Sequence, residues 1–326
     1  MIRRILVPLD GSRRAEQVLS HVVTVARVFN ARVDLVHVLA SEQTRGFGAP
    51  ADPFSTRMAK AHWSRLLESR AAELRSIGVK VWTRVEEGAP PTEIIDLLRK
   101  GSYDLVAMTA HGSGDDRRLR IGSTAASVIL NANTGILLAP ESGASPAPGS
   151  LQQAGYRRIL APVDCSPRGD WSLGVAAAIA RDCGAALRVI HILENPDVVS
   201  RLPDAGRLHV LASRLREENR SEASRYLDQV RWRFEQDDVP VEVNVVEGDG
   251  GVAEALLASA GNDDVDLVVL SAHGRGASPS WPLGGTAAKL VLWAQRPVLI
   301  LQDQPSQSSG SGYRSRFTSK ALAGEH

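Results

Sequence analysis

Two short clusters in this chain carry residue types that can hold an anion, and each occurs twice. The apolar run 105–108 leads into Thr109, His111 and Gly112. Nine residues, Ser113 to Ile121, then separate Gly112 from Gly122, Ser123 and Thr124, and the helix-spaced AASVIL follows. Gly122-Ser123-Thr124 therefore sits at a helix N-terminus, where unsatisfied N–H groups and the helix dipole favour a phosphate. Glycine lets a phosphate approach the backbone. Serine and threonine at a helix start are also ordinary caps, so the hydroxyls alone leave both readings open. The length of the connection is the sharper signal, because roughly two to six residues is usual between a strand and a helix.

The other chemistry-bearing residues are weighed in the same way. Asp10 and Asp164 each end an apolar run, which suits a contact to a sugar or base and equally an Asx turn. Asp115 and Asp116 are candidates for Mg²⁺, and Arg117, Arg118 and Arg120 for terminal phosphates; a solvated loop tip is the plainer reading. His111 and His273 precede the loop glycines without a Ser, Cys or carboxylate partner at a recognisable spacing, so a role in holding the loop is expected. His37 and His191 are expected to be satisfied structural histidines. There is no GxxxxGK[ST], so the chain is not a P-loop ATPase. No catalytic residue and no metal site is expected.

Elements must bring these clusters together. Ile5–Leu9 is a continuous apolar run, as in a strand covered on both faces. Ala15, Val18, Leu19, Val22, Val25, Ala26 and Phe29 follow helical spacing. Strands are expected at Val33–Leu39, Val79–Val85, Leu105–Met108 and Ile136–Leu138. Helices are expected over Met58–Ile77, Thr92–Arg99 and Ser123–Asn131. Strand–helix alternation makes a doubly wound parallel sheet, with ligands beyond the carboxyl ends of the strands where strand order reverses. In the order 3-2-1-4-5, the loops after strands one and four share that crevice.

The pattern is duplicated. RRILVPLDGS at Arg3 recurs as RRILAPVDCS at Arg157, and DLVAMTAHGSG at Asp104 as DLVVLSAHGRG at Asp266. We expect one domain over 1–140, a Ser/Pro/Gly/Ala linker over 141–155, a second domain over 156–303 and a disordered tail over 304–326. The chain has 326 residues, about two domains' worth at roughly 150 each, and 43% are hydrophobic, enough for a core in each half. The 38 Lys+Arg against 37 Asp+Glu give a net charge of +1, which argues against a nucleic-acid or membrane footprint. Cys165 and Cys183 make no disulfide framework and are expected to be small buried residues. No run approaches the roughly eighteen apolar residues of a membrane span, and the N-terminal apolar stretch is short for a signal peptide. A cytoplasmic protein is expected.

On ILVPLDGS, DLVAMTAHG and the spacing of the long loop, the chain resembles the universal stress proteins in tandem form. The ATP-binding branch of that family carries G-x2-G-x9-G-[ST]. In the first half Thr109 takes the first glycine position, Gly112 the second, and Gly122-Ser123 close the motif. The resemblance implies that Pro8, Leu9 and Asp10 line the adenosine end, and that Val38 packs on adenine. It also implies that Gly112, Gly122, Ser123 and Thr124, with Thr109 beside them, hold phosphates. Thr109 in place of glycine is expected to crowd a phosphate. In the second half the corresponding positions are Asp164, Ile192, Gly274, Gly284 and Thr286; Ser271 opens the motif, Gly285 replaces the hydroxyl, and the loop RGASPSWPL is bulkier. The resemblance implies a stress-response regulator that binds ATP, with or without Mg²⁺, mainly in the first half and hydrolyses it slowly at most. A nucleotide-free scaffold acting through protein partners is the competing class. The two halves are expected to pack as an intramolecular pseudo-dimer through their final strands, whose exposed edges invite pairing.

Overall fold

The structure, a computed structural model, describes residues 1–40, 53–112, 121–140, 151, 155–194, 205–248, 250–261, 264–274 and 282–302. Most of the expected linker, the expected tail, the acidic and arginine-bearing part of the long loop and most of its second-half counterpart lie outside these residues. In the first half β1 (Arg4–Pro8), β2 (Arg32–Leu39), β3 (Lys80–Glu87), β4 (Leu105–Thr109) and β5 (Gly135–Ala139) alternate with helices. These are α1 (Arg13–Glu16), α2 (Val18–Phe29), α3 (Pro53–Ser76), α4 (Pro90–Lys100) and α5 (Ser123–Asn131). The second half repeats the plan with β6 (Arg158–Pro162), α6 (Pro167–Cys183), β7 (Ala186–Glu194), α7 (Ala205–Glu235) and β8 (Val241–Gly248). It continues through α8 (Val252–Ala260), β9 (Leu267–Ser271), α9 (Gly285–Trp293) and β10 (Val298–Leu301). The expected first helix is divided at Gln17 into α1 and α2.

The strands form a single ten-stranded sheet in the order β3-β2-β1-β4-β5-β10-β9-β6-β7-β8. Each half has the 3-2-1-4-5 order, and pairing within each half is parallel. The halves join where β5 and β10 pair antiparallel, with Leu138 opposite Val298 and Ile136 opposite Ile300. Two edges that each half would expose are thereby closed on one another. The remaining edges, β3 and β8, alternate buried and exposed residues and carry Arg84, Glu86, Glu242 and Asn244, as solvent-facing edge strands do.

The helices cover both faces, so β1, β4 and β5 are apolar along their length. One core packs α2, α3, α6 and α7 on the sheet, the other α4, α5, α8 and α9, and each runs through both halves. At the seam His21 of α2 stacks on Tyr156, with ring centroids 5.8 Å apart, and its Nδ1 lies 2.9 Å from the tyrosine hydroxyl. Burial pushes His21 down to about 4.

In each half the repeated Arg-Arg and Asp-Leu-Val motifs meet at the end of the sheet opposite that half's own crevice. Asp104 accepts from the backbone N–H groups of Arg3 and Arg4 at 2.7 and 2.9 Å, and Asp266 from those of Arg157 and Arg158 at 2.7 and 3.0 Å. In the first half this end also holds a buried carboxylate, Asp34, bonded by Arg4 at 2.9 Å, Arg32 at 2.6 Å and Tyr103 at 2.7 Å. Burial alone would raise the Asp34 carboxyl; the Tyr103, Arg32 and Arg4 bonds outweigh it and hold it below the usual carboxylate range.

Candidate functional site

The apolar run of β1 ends at Pro8, and the chain turns through Leu9, Asp10 and Gly11 into α1. One Asp10 carboxylate oxygen accepts from the Ser12 N–H at 2.9 Å, and the Ser12 hydroxyl accepts from Ala15 N–H at 3.1 Å. This is the Asx turn and cap foreseen as the plainer reading of Asp10. The other carboxylate oxygen looks across to the loop after β4, where a Cβ on Gly112 would lie only 2.5 Å from it. Gly112 is therefore glycine because the two loops close on each other there. The second half repeats the contact, with a Cβ on Gly274 lying 2.7 Å from Asp164.

Beside this contact is a cavity of about 320 Å³. Pro8, Leu9, Asp10, Val38, Thr109, Gly112, Ser123 and Thr124, all named from the sequence, lie on its wall. Val36, Met108 and Ile94 add apolar surface. The N-cap of α5 is Gly122, which has no side chain to cap the helix, and Ser123 and Thr124 are its first two residues.

Two of the expected site residues make contacts that the sequence did not suggest. Gly122 is not on the cavity wall: its N–H donates to the Ala110 carbonyl at 2.7 Å, and its φ of −68° is ordinary. Its counterpart Gly284 donates to Ala272 at 2.8 Å, and a Cβ there would sit 3.2 Å from that carbonyl oxygen. This glycine lets the returning loop press against the end of the fourth strand. The Thr109 hydroxyl donates to the His111 carbonyl at 2.8 Å, and Ser271 does the same to His273 at 2.8 Å. A hydroxyl residue in place of the first motif glycine thus pins the loop in both halves.

His37 is satisfied, its Nδ1 bonding the Leu9 carbonyl at 2.7 Å, and it also lies on the cavity wall; burial lowers its pKa against the opposing pull of that bond and of Asp10. His191 bonds Val163 at 2.9 Å in the same way. The sequence reading missed what lies over His37. The Trp63 indole of α3 stacks on the imidazole at 3.6 Å between centroids, and any Cβ on Gly11 would strike the indole. Gly11 also has φ +82°, so glycine is required there twice over. In the second half Cys165 occupies the matching left-handed position at φ +58°. Cys165 and Cys183 are half-buried rather than buried, and neither is in a disulfide. Among the described residues no cluster of His, Cys, Asp or Glu is placed to hold a metal.

The second crevice holds a cavity of about 560 Å³, lined by Asp164, Ile192, Gly274, Gly284 and Thr286 with Ser271 and Gly285. Glu194 and Asn219 stand on its wall, where the sequence reading named no residue. Its helix α9 likewise starts without a side-chain cap bond.

Two doubly wound α/β halves, each with a cavity at its switch point, make this a tandem α/β protein. The chain belongs to the universal stress protein family: the family's sequence profile matches residues 1–140 and again 155–302. Universal stress protein MJ0531 of Methanocaldococcus jannaschii is 29% identical over 149 residues, covering 42% of this chain and 82% of that protein. Universal stress protein MJ0577 of the same organism is 24% identical over 153 residues, covering 42% of this chain and 94% of that protein. The crystal structure of a universal stress protein from Archaeoglobus fulgidus shares the fold over 92% of this chain and 96% of that one, with a TM-score of 0.61 at 18% identity. Among the described residues no helix is long and apolar enough to cross a membrane.

Proposed function

We propose that this universal stress protein binds ATP, with or without Mg²⁺, in the first-half crevice, and that occupancy sets how it engages protein partners in the cytoplasm during stress. The observation that carries this reading is the single cavity in which Asp10, an apolar wall and the uncapped start of α5 come together. Its volume falls within the range of about 300–1,000 Å³ typical of small-molecule sites. Val36, Val38, Ile94 and Met108 suit the flat apolar face of adenine. Asp10 can accept from ribose hydroxyls. The first-turn N–H groups of α5, with the Ser123 and Thr124 hydroxyls, suit phosphate oxygens. In this reading the protein retains nucleotide and turns it over slowly at most.

The domain limits 1–140 and 156–303, with 141–155 between them, belong to the same proposal. The second crevice is taken as the weaker site. Gly285 offers no hydroxyl at the first helical position, and Thr286 supplies one a residue later. The test is mass spectrometry of small molecules released from freshly purified, denatured protein, followed by calorimetry with ATP. Adenine nucleotide in the released fraction and saturable binding are expected. Neither one would leave the nucleotide-free scaffold as the function.

A further inference from the structure

The seam between the halves has a cavity of its own, about 90 Å³, and its wall mixes residues of both. Ala110 and His111 come from the loop after β4, Pro140 from the end of β5, and Arg296 from the approach to β10. The topology explains the meeting. β10 runs antiparallel to β5, with Val298 opposite Leu138, so two residues further along the register Arg296 lies across from Pro140. The start of β10 is therefore at the same end of the sheet as the carboxyl ends of β1, β4 and β5, which is where the first-half crevice opens. β4 is the next strand beyond β5. Two strand spacings, about 10 Å, separate the Arg296 backbone from the Ala110–His111 turn. The arginine side chain spans most of that distance, and Arg296 and His111 line the same small space.

The seam is asymmetric. The residue matching Arg296 in the first half is Thr134, just before β5, which the antiparallel register places near Gln302 at the second-half crevice. Thr134 is short, uncharged and buried. Arg296 thus lines the seam cavity beside the turn that leads into the first crevice, and the matching position in the other half is uncharged.

We infer that Arg296 of the second half is a positioning and charge-supplying residue for the anion site of the first half, acting on the phosphate end of a nucleotide through the His111–Gly112 turn. The inference rests on the nucleotide reading above and adds to it that the first site is complete only when both halves are present. A guanidinium acting through that turn favours the charged phosphate chain over the uncharged adenosine.

The test is calorimetry on the full chain with ATP and, separately, adenosine, comparing wild type, Arg296→Ala and Arg296→Lys. Arg296→Ala should weaken ATP about tenfold, which corresponds to about 1.4 kcal/mol. It should leave adenosine binding and the melting temperature nearly unchanged and flatten the salt dependence of ATP binding; Arg296→Lys should recover part of the loss. Equal loss for ATP and adenosine would show a merely structural role and overturn the inference. ATP binding by Arg296→Ala at wild-type strength would overturn it while leaving the nucleotide reading intact. A wild-type chain that binds no adenine nucleotide would overturn both.

Discussion

Adding one methyl group at Gly112 tests the first-half crevice most directly. The Cβ of Gly112→Ala would lie 2.5 Å from an Asp10 carboxylate oxygen, where ordinary contact begins at 3.4 Å. The gap must open by almost 1 Å. Asp10 cannot simply swing away, because its other oxygen is held by the Ser12 N–H at 2.9 Å. Either Asp10 leaves its rotamer, at about 0.5–1.5 kcal/mol, or the loop after β4 lifts from the crevice. In both cases the hydrogen bond from a bound ribose to Asp10 is lost or stretched, a bond to a charged acceptor worth about 1.5–3 kcal/mol. ATP affinity at the first site should fall about tenfold to a hundredfold, since 1.4 kcal/mol is one decade. The matched variant Gly274→Ala places its Cβ 2.7 Å from Asp164 and perturbs only the second crevice. Calorimetry on the two full-length variants, with thermal melts as a folding control, reads both sites. Full ATP affinity in Gly112→Ala, together with its loss in Gly274→Ala, would refute the assignment of the stronger site to the first half.

Three further outcomes are expected. His21 is pushed down to about 4 in the fold against an ordinary 6.5, so it folds neutral; its contribution is complete above pH 6.5 and is lost as pH falls towards 4, by up to about 1.4 kcal/mol per pH unit. Denaturant titrations at pH 7.5 and 5 should show this loss in wild type and a shallower one in His21→Gln; parallel pH profiles would refute it. Asp34→Asn should cost about 1–3 kcal/mol by weakening the bonds to Arg4, Arg32 and Tyr103, a figure reduced because Arg32 is 38% exposed. That cluster is at the far end of the sheet, so ATP affinity should not change, and a matching loss of binding would show the two ends to be coupled. A fragment ending at residue 140 bares the β5 edge that pairs with β10, and sedimentation should show it self-associating; a clean monomer would argue that the seam contributes little.

Much of this protein was determined locally and could be read without coordinates. The apolar runs of β1 and β4, the helical spacing of α2 and α5 and the duplicated motifs are interactions within a few residues of each other, repeated by inheritance. They specify ten strands, two crevices and the residues beside them. Asp10, Val38, Thr109, Gly112, Ser123 and Thr124 were legible because a doubly wound sheet always opens its switch point beyond strands one and four. Local pattern was insufficient wherever the decisive neighbour is distant in sequence. Gly122 carries a motif that suits a phosphate, yet its N–H is bonded to Ala110 across a long loop. Gly11 is glycine partly because Trp63 lies over it, and Thr109 is tolerated because its hydroxyl finds His111. The repeated Asp104 and Asp266 each accept from backbone N–H groups at the end of the sheet opposite their own half's crevice. Most of all, the antiparallel pairing of β5 with β10 brings Arg296 into a seam cavity with His111 of the first half. The sequence pointed to the final strands as the edges that meet, but the direction and register of their pairing depend on how the two halves dock, and no spacing within either half encodes that.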